Sequence, residues 1–183
     1  MIKYRTLDDH DFSKDRVLLR LDLNLPTHNG AISDPTRLTK AIPTIARLAS
    51  QGAKVIIISH FGRPKGKIVR EMSMEKIFSS LCEALNGFTV KFIPHSIGSE
   101  VAEDIRNMKN GEICLLENLR FHPGEEENDP EFSKSLALLG DCFVNDAFSV
   151  SHRAHASTAG IARHMPSFAG PLMDLELKAL SNS

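Results

Sequence analysis

The stretch that most constrains the fold of this chain is residues 55–67, which read V-I-I-I-S-H-F-G-R-P-K-G-K. Four consecutive apolar residues, three of them isoleucine, are typical of a short strand buried on both faces of a sheet. The sequence then changes abruptly to Ser59, His60 and Arg63, and a glycine and a proline prevent a regular continuation. In open α/β sheets ligands bind at the carboxyl ends of the strands, so this stretch predicts a site that follows a central strand.

The same alternation of strand and helix patterns recurs along the chain. Apolar runs predict five strands, at residues 16–21, 55–58, 89–93, 113–116 and 142–145. Apolar residues at helical spacing predict the intervening helices, at residues 35–50, 73–86, 99–109 and 130–139. Strands that alternate with helices through short connections indicate repeated βαβ units. The predicted fold class is therefore α/β, a Rossmann-like three-layer αβα domain with a central parallel sheet.

Local signals predict several finer features. Asp34 is predicted to cap the first helix, with Pro35 as its first residue, and Pro43 is predicted to kink or split that helix. Residues 125–127, which read E-E-E, are predicted to form a solvated loop. An apolar pattern from Leu172 predicts a further helix close to the last residue, which suggests a chain cut from a longer protein.

Composition excludes few functions but sets useful bounds. The 183 residues favour one domain with a substantial core, and 22 basic against 23 acidic residues give a net charge of -1. This balance offers no reason to expect a nucleic-acid or membrane partner. The three dispersed cysteines are predicted to be reduced thiols of a cytoplasmic protein, and no apolar run is long enough to be a signal peptide or a transmembrane span.

Polar side chains follow four of the five predicted strands: Asp22 and Asn24, His60 and Arg63, Arg120 and His122, and then His152, Arg153 and His155. Arg37 lies shortly after the first of these groups. Because parallel strands end at the same edge of a sheet, we expect these residues to gather there. Four arginines at one edge predict an anion site, since guanidinium groups bind phosphate and carboxylate through paired hydrogen bonds. Asp22 and Asn24 add acceptors that suit a hydroxyl group, so the predicted ligand is small, at least doubly anionic and hydroxylated.

Each of these residues also has an ordinary structural explanation. A single arginine in a loop is usually solvated or in a surface ion pair, and Asp22 has Arg20 and Arg37 as ordinary partners. His152 and His155 lack a further ligand at metal-binding spacing, so no metal is predicted. Neither G-x-x-x-x-G-K-[ST] nor G-x-G-x-x-G occurs, so no nucleotide site is expected in this chain. Repetition of the arrangement at four strand ends favours a binding site over these explanations.

Four longer motifs, in matching order and spacing, resemble those of phosphoglycerate kinases. They are R-L-D-L-N-L-P at 20–26, S-H-F-G-R-P-K-G at 59–66, L-E-N-L-R-F-H at 116–122 and V-N-D-A-F-S-V-S-H-R-A-H-A-S at 144–157. The resemblance covers essentially the whole chain. Its departures exchange one apolar residue for another, with Leu23, Leu25 and Phe61 where that family more often has Phe, Val and Leu. They affect packing rather than the site.

The resemblance implies that residues 1–183 are the N-terminal, substrate-binding domain of a two-domain kinase, whose C-terminal nucleotide-binding domain is absent from this chain. Mg-ATP or Mg-ADP would bind that other domain, and no cofactor is expected here. The implied ligands of 3-phosphoglycerate and 1,3-bisphosphoglycerate are Asp22, Asn24, Arg37, His60, Arg63, Arg120 and Arg153, with His155 close by. The resemblance also implies that Arg63, Arg120 and Arg153 face the 3-phosphate. Asp22 and Asn24 would face the hydroxyl and carboxyl end, and Arg37 would be catalytic, directed at the transferred phosphoryl group.

The function that follows is reversible phosphoryl transfer between ATP and 3-phosphoglycerate in glycolysis, by a cytoplasmic monomer. The isolated domain is expected to have little or no turnover, because the nucleotide would come from the other domain. One alternative is a stand-alone, non-catalytic module that binds a small phosphorylated carboxylic acid. A more distant one is an unrelated α/β phosphatase or isomerase, for which Asp22, His60 or His155 would supply the nucleophile or the acid and base.

Overall fold

The structure, a computed structural model, describes residues 3–183. Its strands are β1 (Arg16–Arg20), β2 (Thr27–His28), β3 (Ala31–Ile32), β4 (Lys54–Ile58), β5 (Val90–Ile93), β6 (Ile113–Leu116), β7 (Cys142–Asn145) and β8 (Ser167–Ala169). Its helices are α1 (Thr36–Ser50), α2 (Glu75–Ala84), α3 (Ser99–Arg106), α4 (Pro123–Glu126), α5 (Pro130–Ala137) and α6 (Pro171–Ser181). The alternation of strands and helices confirms the predicted α/β class.

Six strands form one parallel sheet in the order β5-β6-β4-β1-β7-β8. The strands that follow β1 in the main sheet, β4, β5 and β6, all lie on one side of it. The last two, β7 and β8, lie on the other side. This reversal makes β1 the switch point of the sheet. Ligands of open α/β sheets bind in the crevice beside such a point, at the carboxyl ends of the strands.

The core lies on both faces of the sheet, because alternate residues of each strand point to opposite sides. On one face Leu19 and Ile57 pack in a cluster with residues of α1 and α2. On the other face Leu18 and Ile56 pack in a cluster with residues of α3 and α5. All four of these strand residues are fully buried, and burying each such side chain contributes roughly 1.5–3 kcal/mol. The two clusters confirm the three-layer arrangement.

Two short features were not predicted as strands. The three residues of β8 pair with β7 at the sheet edge, and three residues are too few to show a periodicity. Residues 27–32, for which the sequence predicts no strand, form a small hairpin, β2 with β3. Asn29 and Gly30 turn it with φ values of 51° and 78°, the positive values that a tight hairpin turn requires.

The start of α1 differs from the prediction, and its middle excludes one of the two effects predicted for Pro43. Pro35 is the N-cap and not the first helical residue, and the Asp34 carboxylate accepts the backbone N–H of Thr36 at 3.0 Å. The helix continues through Pro43 from Thr36 to Ser50, so it is not split. Proline removes one backbone hydrogen bond, and here the freed carbonyl belongs to Thr39, which is exposed on the solvent face of the helix. The missing hydrogen bond therefore falls at an exposed residue and not in the core.

Asp146 joins three elements behind the sheet edge. Its buried Oδ1 accepts the backbone N–H groups of Leu172 at 2.8 Å and Met173 at 3.2 Å, at the start of α6. Its Oδ2 accepts the Thr44 hydroxyl of α1 at 3.1 Å.

Asp146→Ala is expected to lower the free energy of unfolding by about 2 kcal/mol, because buried donors lose their acceptor. Asp146→Asn keeps an acceptor oxygen and is expected to lose far less. Urea denaturation of both variants checks this, and equal losses would contradict it.

Candidate functional site

A cavity of about 200 Å³ lies at the carboxyl ends of the four central strands. This is below the roughly 300–1,000 Å³ that is usual for drug-sized ligands, so the cavity suits a small molecule. Its lining brings together seven of the eight predicted ligands, Asp22, Asn24, Arg37, His60, Arg63, Arg120 and Arg153, together with Ser149, Val150 and His152. The strand-end prediction thus correctly places these side chains at one edge, while their roles toward a ligand stay predictions.

The loops after β1 and β4 are fastened to each other beside this cavity. The buried Ser59 hydroxyl donates to the Leu21 carbonyl at 2.8 Å and accepts the Leu23 N–H at 3.0 Å. Asn24 Oδ1 accepts the N–H of Gly62 at 3.0 Å. That contact fixes the orientation of the Asn24 amide, whose oxygen accepts one hydrogen bond from the backbone and keeps a second lone pair. Asn24 can therefore offer a ligand its Nδ2 donor, which has no partner within residues 3–183, as well as the predicted acceptor oxygen.

Asp22 and Arg37 are held together at the rim of the cavity. Asp22 Oδ1 accepts the N–H of Asn24 at 3.1 Å, and its Oδ2 accepts the hydroxyl of Ser149. Arg37 Nε lies 3.5 Å from the same Oδ2, and Arg37 Nη1 donates to the Asn24 carbonyl at 2.6 Å. The ordinary pairing of Asp22 with Arg37 is therefore present, and the Arg37 guanidinium is half-exposed beside the opening. Ser149 is not among the site residues predicted from the sequence, although it stands four residues before Arg153 in the same motif.

Asn118 positions Arg120 on the opposite side. Its Nδ2 donates to the carbonyls of Phe61 at 2.6 Å and Met72 at 2.8 Å, and its Oδ1 accepts the N–H of Arg120 at 3.0 Å. Arg120 is almost buried, which lowers the pKa of its guanidinium, and its Nε lies 3.2 Å from Glu126 Oε1. One side chain therefore fixes both the loop after β4 and the loop after β6.

The positive charge of the site is only partly neutralised. Arg37 and Arg120 each have an acidic neighbour, whereas Arg63 and Arg153 form no ion pair within residues 3–183. Both of these side chains are exposed at the cavity. Two free guanidinium groups beside two partly paired ones favour the binding of an anion with more than one negative charge.

A buried layer of polar residues lies behind the cavity, and it corrects one prediction. Residue Glu125 was expected in a solvated loop, but it lies in α4 and is fully buried. Its two carboxylate oxygens accept the hydroxyl and the N–H of Ser157, at 2.6 Å and 2.7 Å. The Ser157 hydroxyl in turn accepts Arg20 Nε at 2.9 Å. We call Arg20, Ser157 and Glu125 the buried charge layer, in which a hydroxyl connects two opposite charges.

The histidines near the site are placed differently from one another. His60 lines the cavity, and burial, with a smaller effect of nearby Arg20, lowers its pKa to about 2. His155 is not among the lining residues, because it is buried behind them, and burial also lowers its pKa. His122 stacks on Phe132 with ring centroids 4.9 Å apart and does not line the cavity either. His60 is therefore a neutral side chain at neutral pH.

Comparison with known proteins agrees with the motifs. A family model described as phosphoglycerate kinase matches residues 7–183. The chain belongs to the phosphoglycerate kinase family. Its curated relatives include the phosphoglycerate kinase of Cereibacter sphaeroides strain ATCC 17025, 50% identical over 177 residues, and that of Granulibacter bethesdensis, 52% identical over 179 residues. Each alignment covers nearly all of this chain, 97% and 98% respectively, but only 45% of the relative.

Solved structures of the family share the fold. The phosphoglycerate kinase from Coxiella burnetii superposes with a TM-score of 0.88 at 38% identity, covering 98% of this chain and 44% of that one. The enzyme from Pyrococcus horikoshii gives a TM-score of 0.86 at 35% identity, covering 97% of this chain and 45% of that one. The chain thus spans about half the length of the family members that it matches.

The described part of the chain contains neither a cluster of metal-ligating side chains nor a membrane-spanning helix. Within residues 3–183 no three or more histidine, cysteine or acidic side chains are grouped so that they could hold a metal ion. No helix in that range is both long and apolar enough to cross a membrane.

Proposed function

We propose that this chain forms the 3-phosphoglycerate-binding domain of a phosphoglycerate kinase. The observation that carries the proposal is the set of four arginines around one small cavity, two of them without an acidic partner among the described residues. A phosphate and a carboxylate on a three-carbon acid match this charge, and the Asn24 amide and the Asp22 carboxylate match its hydroxyl group. Family membership and the match of nearly the whole chain support the same substrate.

The proposed chemistry needs little from this chain beyond position and charge. The acceptor is the carboxylate of 3-phosphoglycerate, which is ionised at neutral pH, so no general base is required. His60 fits this reaction, because a pKa of about 2 makes it a poor base near pH 7. The same pKa disfavours a phosphatase or an isomerase that would use His60 as its acid or base. Arg37, half-exposed at the rim, is the proposed catalytic residue that neutralises charge on the moving phosphoryl group.

The proposal extends to the parts of the reaction that lie outside this chain. Mg-ATP or Mg-ADP would bind a second, C-terminal domain, in agreement with the length of the relatives. Closure of the two domains would bring the nucleotide to Arg37, so this chain alone would have little or no turnover. A cytoplasmic monomer that acts in glycolysis completes the proposed role.

Isothermal titration of this chain with 3-phosphoglycerate and, separately, with Mg-ATP tests the substrate. We expect 3-phosphoglycerate to bind and Mg-ATP not to bind. Arg63→Ala is expected to weaken it about tenfold or more, because each charge-assisted hydrogen bond contributes roughly 1.5–3 kcal/mol. Arg163→Ala is the matched control, since it removes an equal charge from an exposed arginine that does not line the cavity.

Two outcomes would count against the proposed substrate. Binding of Mg-ATP without 3-phosphoglycerate would mean that the cavity serves the nucleotide. An equal loss of affinity in Arg63→Ala and Arg163→Ala would mean that the acid is attracted only by general positive charge and not bound in this cavity. A coupled assay that gives ordinary kinase turnover from this chain alone would contradict the need for a second domain.

A further inference from the structure

Arg20 occupies an unusual place beside the proposed substrate site. It is the last residue of β1 and is fully buried, yet it does not line the cavity. Its Nε donates to Ser157 Oγ at 2.9 Å, its Nη1 donates to the Leu21 carbonyl, and its Nη2 lies 2.9 Å from His60 Nδ1. A buried charge is maintained only when such partners surround it. Of these partners, only His60 lines the cavity.

The contact between Arg20 and His60 determines where the imidazole carries its proton. A guanidinium group has only N–H donors, so His60 Nδ1 must be the acceptor at 2.9 Å. A neutral imidazole has one acceptor nitrogen and one N–H, so the proton resides on Nε2. Within residues 3–183 His60 Nε2 has no hydrogen-bond partner, and the atom is not completely shielded from solvent. It is therefore available to a ligand in the cavity.

The surroundings of His60 keep the ring neutral. The charged and titratable groups that act on it are Arg20, Arg120, His155 and Arg37, which are all basic. A second proton on the ring would place an N–H against the Arg20 guanidinium and add a charge in a region that is already positive. The neutral form with its proton on Nε2 is the one form that satisfies every contact described above.

We infer that Arg20 is a positioning residue that holds His60 in the Nε2–H form, so that the cavity gains a neutral N–H donor for a substrate oxygen. Glu125, acting through Ser157, fixes the direction in which the Arg20 guanidinium points. The identity of the oxygen acceptor rests on the proposed function, but the protonation state of His60 does not. His60 thereby contributes a hydrogen bond without adding a fifth positive charge to the four arginines.

Nuclear magnetic resonance of the chain with ¹⁵N-labelled histidine tests the inference directly. Long-range ¹H–¹⁵N correlations distinguish a protonated from an unprotonated ring nitrogen, and His60→Gln assigns the His60 signals. In the wild type we expect a protonated Nε2 and a bare Nδ1 throughout pH 5–8. His28, which is exposed in the hairpin, serves as the reference for a ring open to solvent.

Two substitutions separate positioning from general structural support. Arg20→Met is expected to introduce an Nδ1–H or a doubly protonated form of His60 and to weaken 3-phosphoglycerate binding about tenfold. Arg20→Lys retains a charge and a donor, and it is expected to preserve the Nε2–H signal. If Arg20→Met does not fold, a protonated Nδ1 in the wild type or loss of the Nε2–H signal in Arg20→Lys would still overturn the inference.

The results that would overturn the inference are specific. A protonated Nδ1 in the wild type near pH 7 would exclude the contact as described. An unchanged Nε2–H signal in a folded Arg20→Met would show that Arg20 does not set the proton position. The expected protonation changes without any 3-phosphoglycerate binding would support the role of Arg20 and count against the proposed substrate, so the two failures are distinguishable.

Discussion

Glu125→Ala is expected to lower the free energy of unfolding of this chain by about 3–5 kcal/mol. The substitution removes a fully buried carboxylate that accepts both the hydroxyl and the N–H of Ser157. It also removes the acidic group that acts most strongly on the buried Arg20 guanidinium, which would keep only the weaker influence of Asp22. At this chain length such a loss corresponds to a decrease of roughly 6–20 °C in Tm, which differential scanning calorimetry measures.

Glu126→Ala is the matched control for this prediction. Glu126 is the next residue of α4, and it also pairs with an arginine, Arg120, at 3.2 Å. Its side chain is 50% exposed, so solvent screens the pair and the expected loss is below about 1 kcal/mol. Similar losses in the two variants would mean that burial of the Glu125 charge is not what matters.

Replacing both charges tests the explanation further. Removing one partner of a buried ion pair strongly destabilises a protein. Replacing both partners with apolar residues of similar size is often tolerated. Arg20→Met combined with Glu125→Leu is therefore expected to recover much of the stability lost in Glu125→Ala. A double variant that is less stable than either single variant would instead indicate that Ser157 or His60 cannot dispense with Arg20.

The sheet and the edge of the site were predictable because their signals are local. Residues 55–58 show by composition alone that a central strand is buried on both faces. The rule that parallel strands end together then places Arg63 beside Arg120, although 57 residues separate them in sequence. Helical spacing likewise identified α2, α3 and α5 to within a few residues of their observed ends. Position along a strand was therefore sufficient to gather the polar side chains.

The buried charge layer was not predictable in this way, because it depends on contacts between segments that are distant in sequence. Glu125 stands in a run of three glutamates, and nothing in that run distinguishes it from Glu126, which is half-exposed. Its partner Ser157 follows 32 residues later, in a π-helical turn, a rare structure without a sequence signal. The one available hint was Arg20, a charge between Leu19 and Leu21 in an apolar run, because a buried charge requires a partner inside the protein.

Motifs also failed to predict which atoms face the ligand. The motif around Asn24 identifies an amide at the cavity, but only the contact from the Gly62 N–H shows that its oxygen already accepts one hydrogen bond while its donor has no partner within residues 3–183. Likewise, His60 is identifiable from its position, yet its proton is placed by Arg20, 40 residues earlier. Residue type follows from sequence, whereas the available donor or acceptor follows from neighbours that only the folded structure brings together.

Acidification from pH 7.5 to pH 5 is expected to destabilise this chain through His60. Burial, assisted by Arg20 and Arg120, lowers its folded-state pKa from an ordinary 6.5 to about 2. Because the folded pKa is the lower one, the unfolded state binds more protons below pH 6.5. The contribution of the neutral His60 ring to the free energy of unfolding is therefore complete above pH 6.5 and is lost progressively as the pH falls toward 2. At pH 5 the loss from His60 alone is about 2 kcal/mol, since each pH unit contributes roughly 1.4 kcal/mol.

Urea denaturation at pH 7.5 and pH 5 measures this effect when the wild type is compared with His60→Gln. Any packing or hydrogen bond lost in the variant is absent at both pH values, so it cancels when the two pH values are subtracted. Burial also lowers the pKa of His122 and His155 and raises that of Asp146, and those contributions are common to both proteins. The wild type is thus expected to lose about 2 kcal/mol more than the variant on acidification. Equal losses would mean that the folded protein accepts a proton on His60, which the Arg20 contact and the surrounding positive charge both oppose.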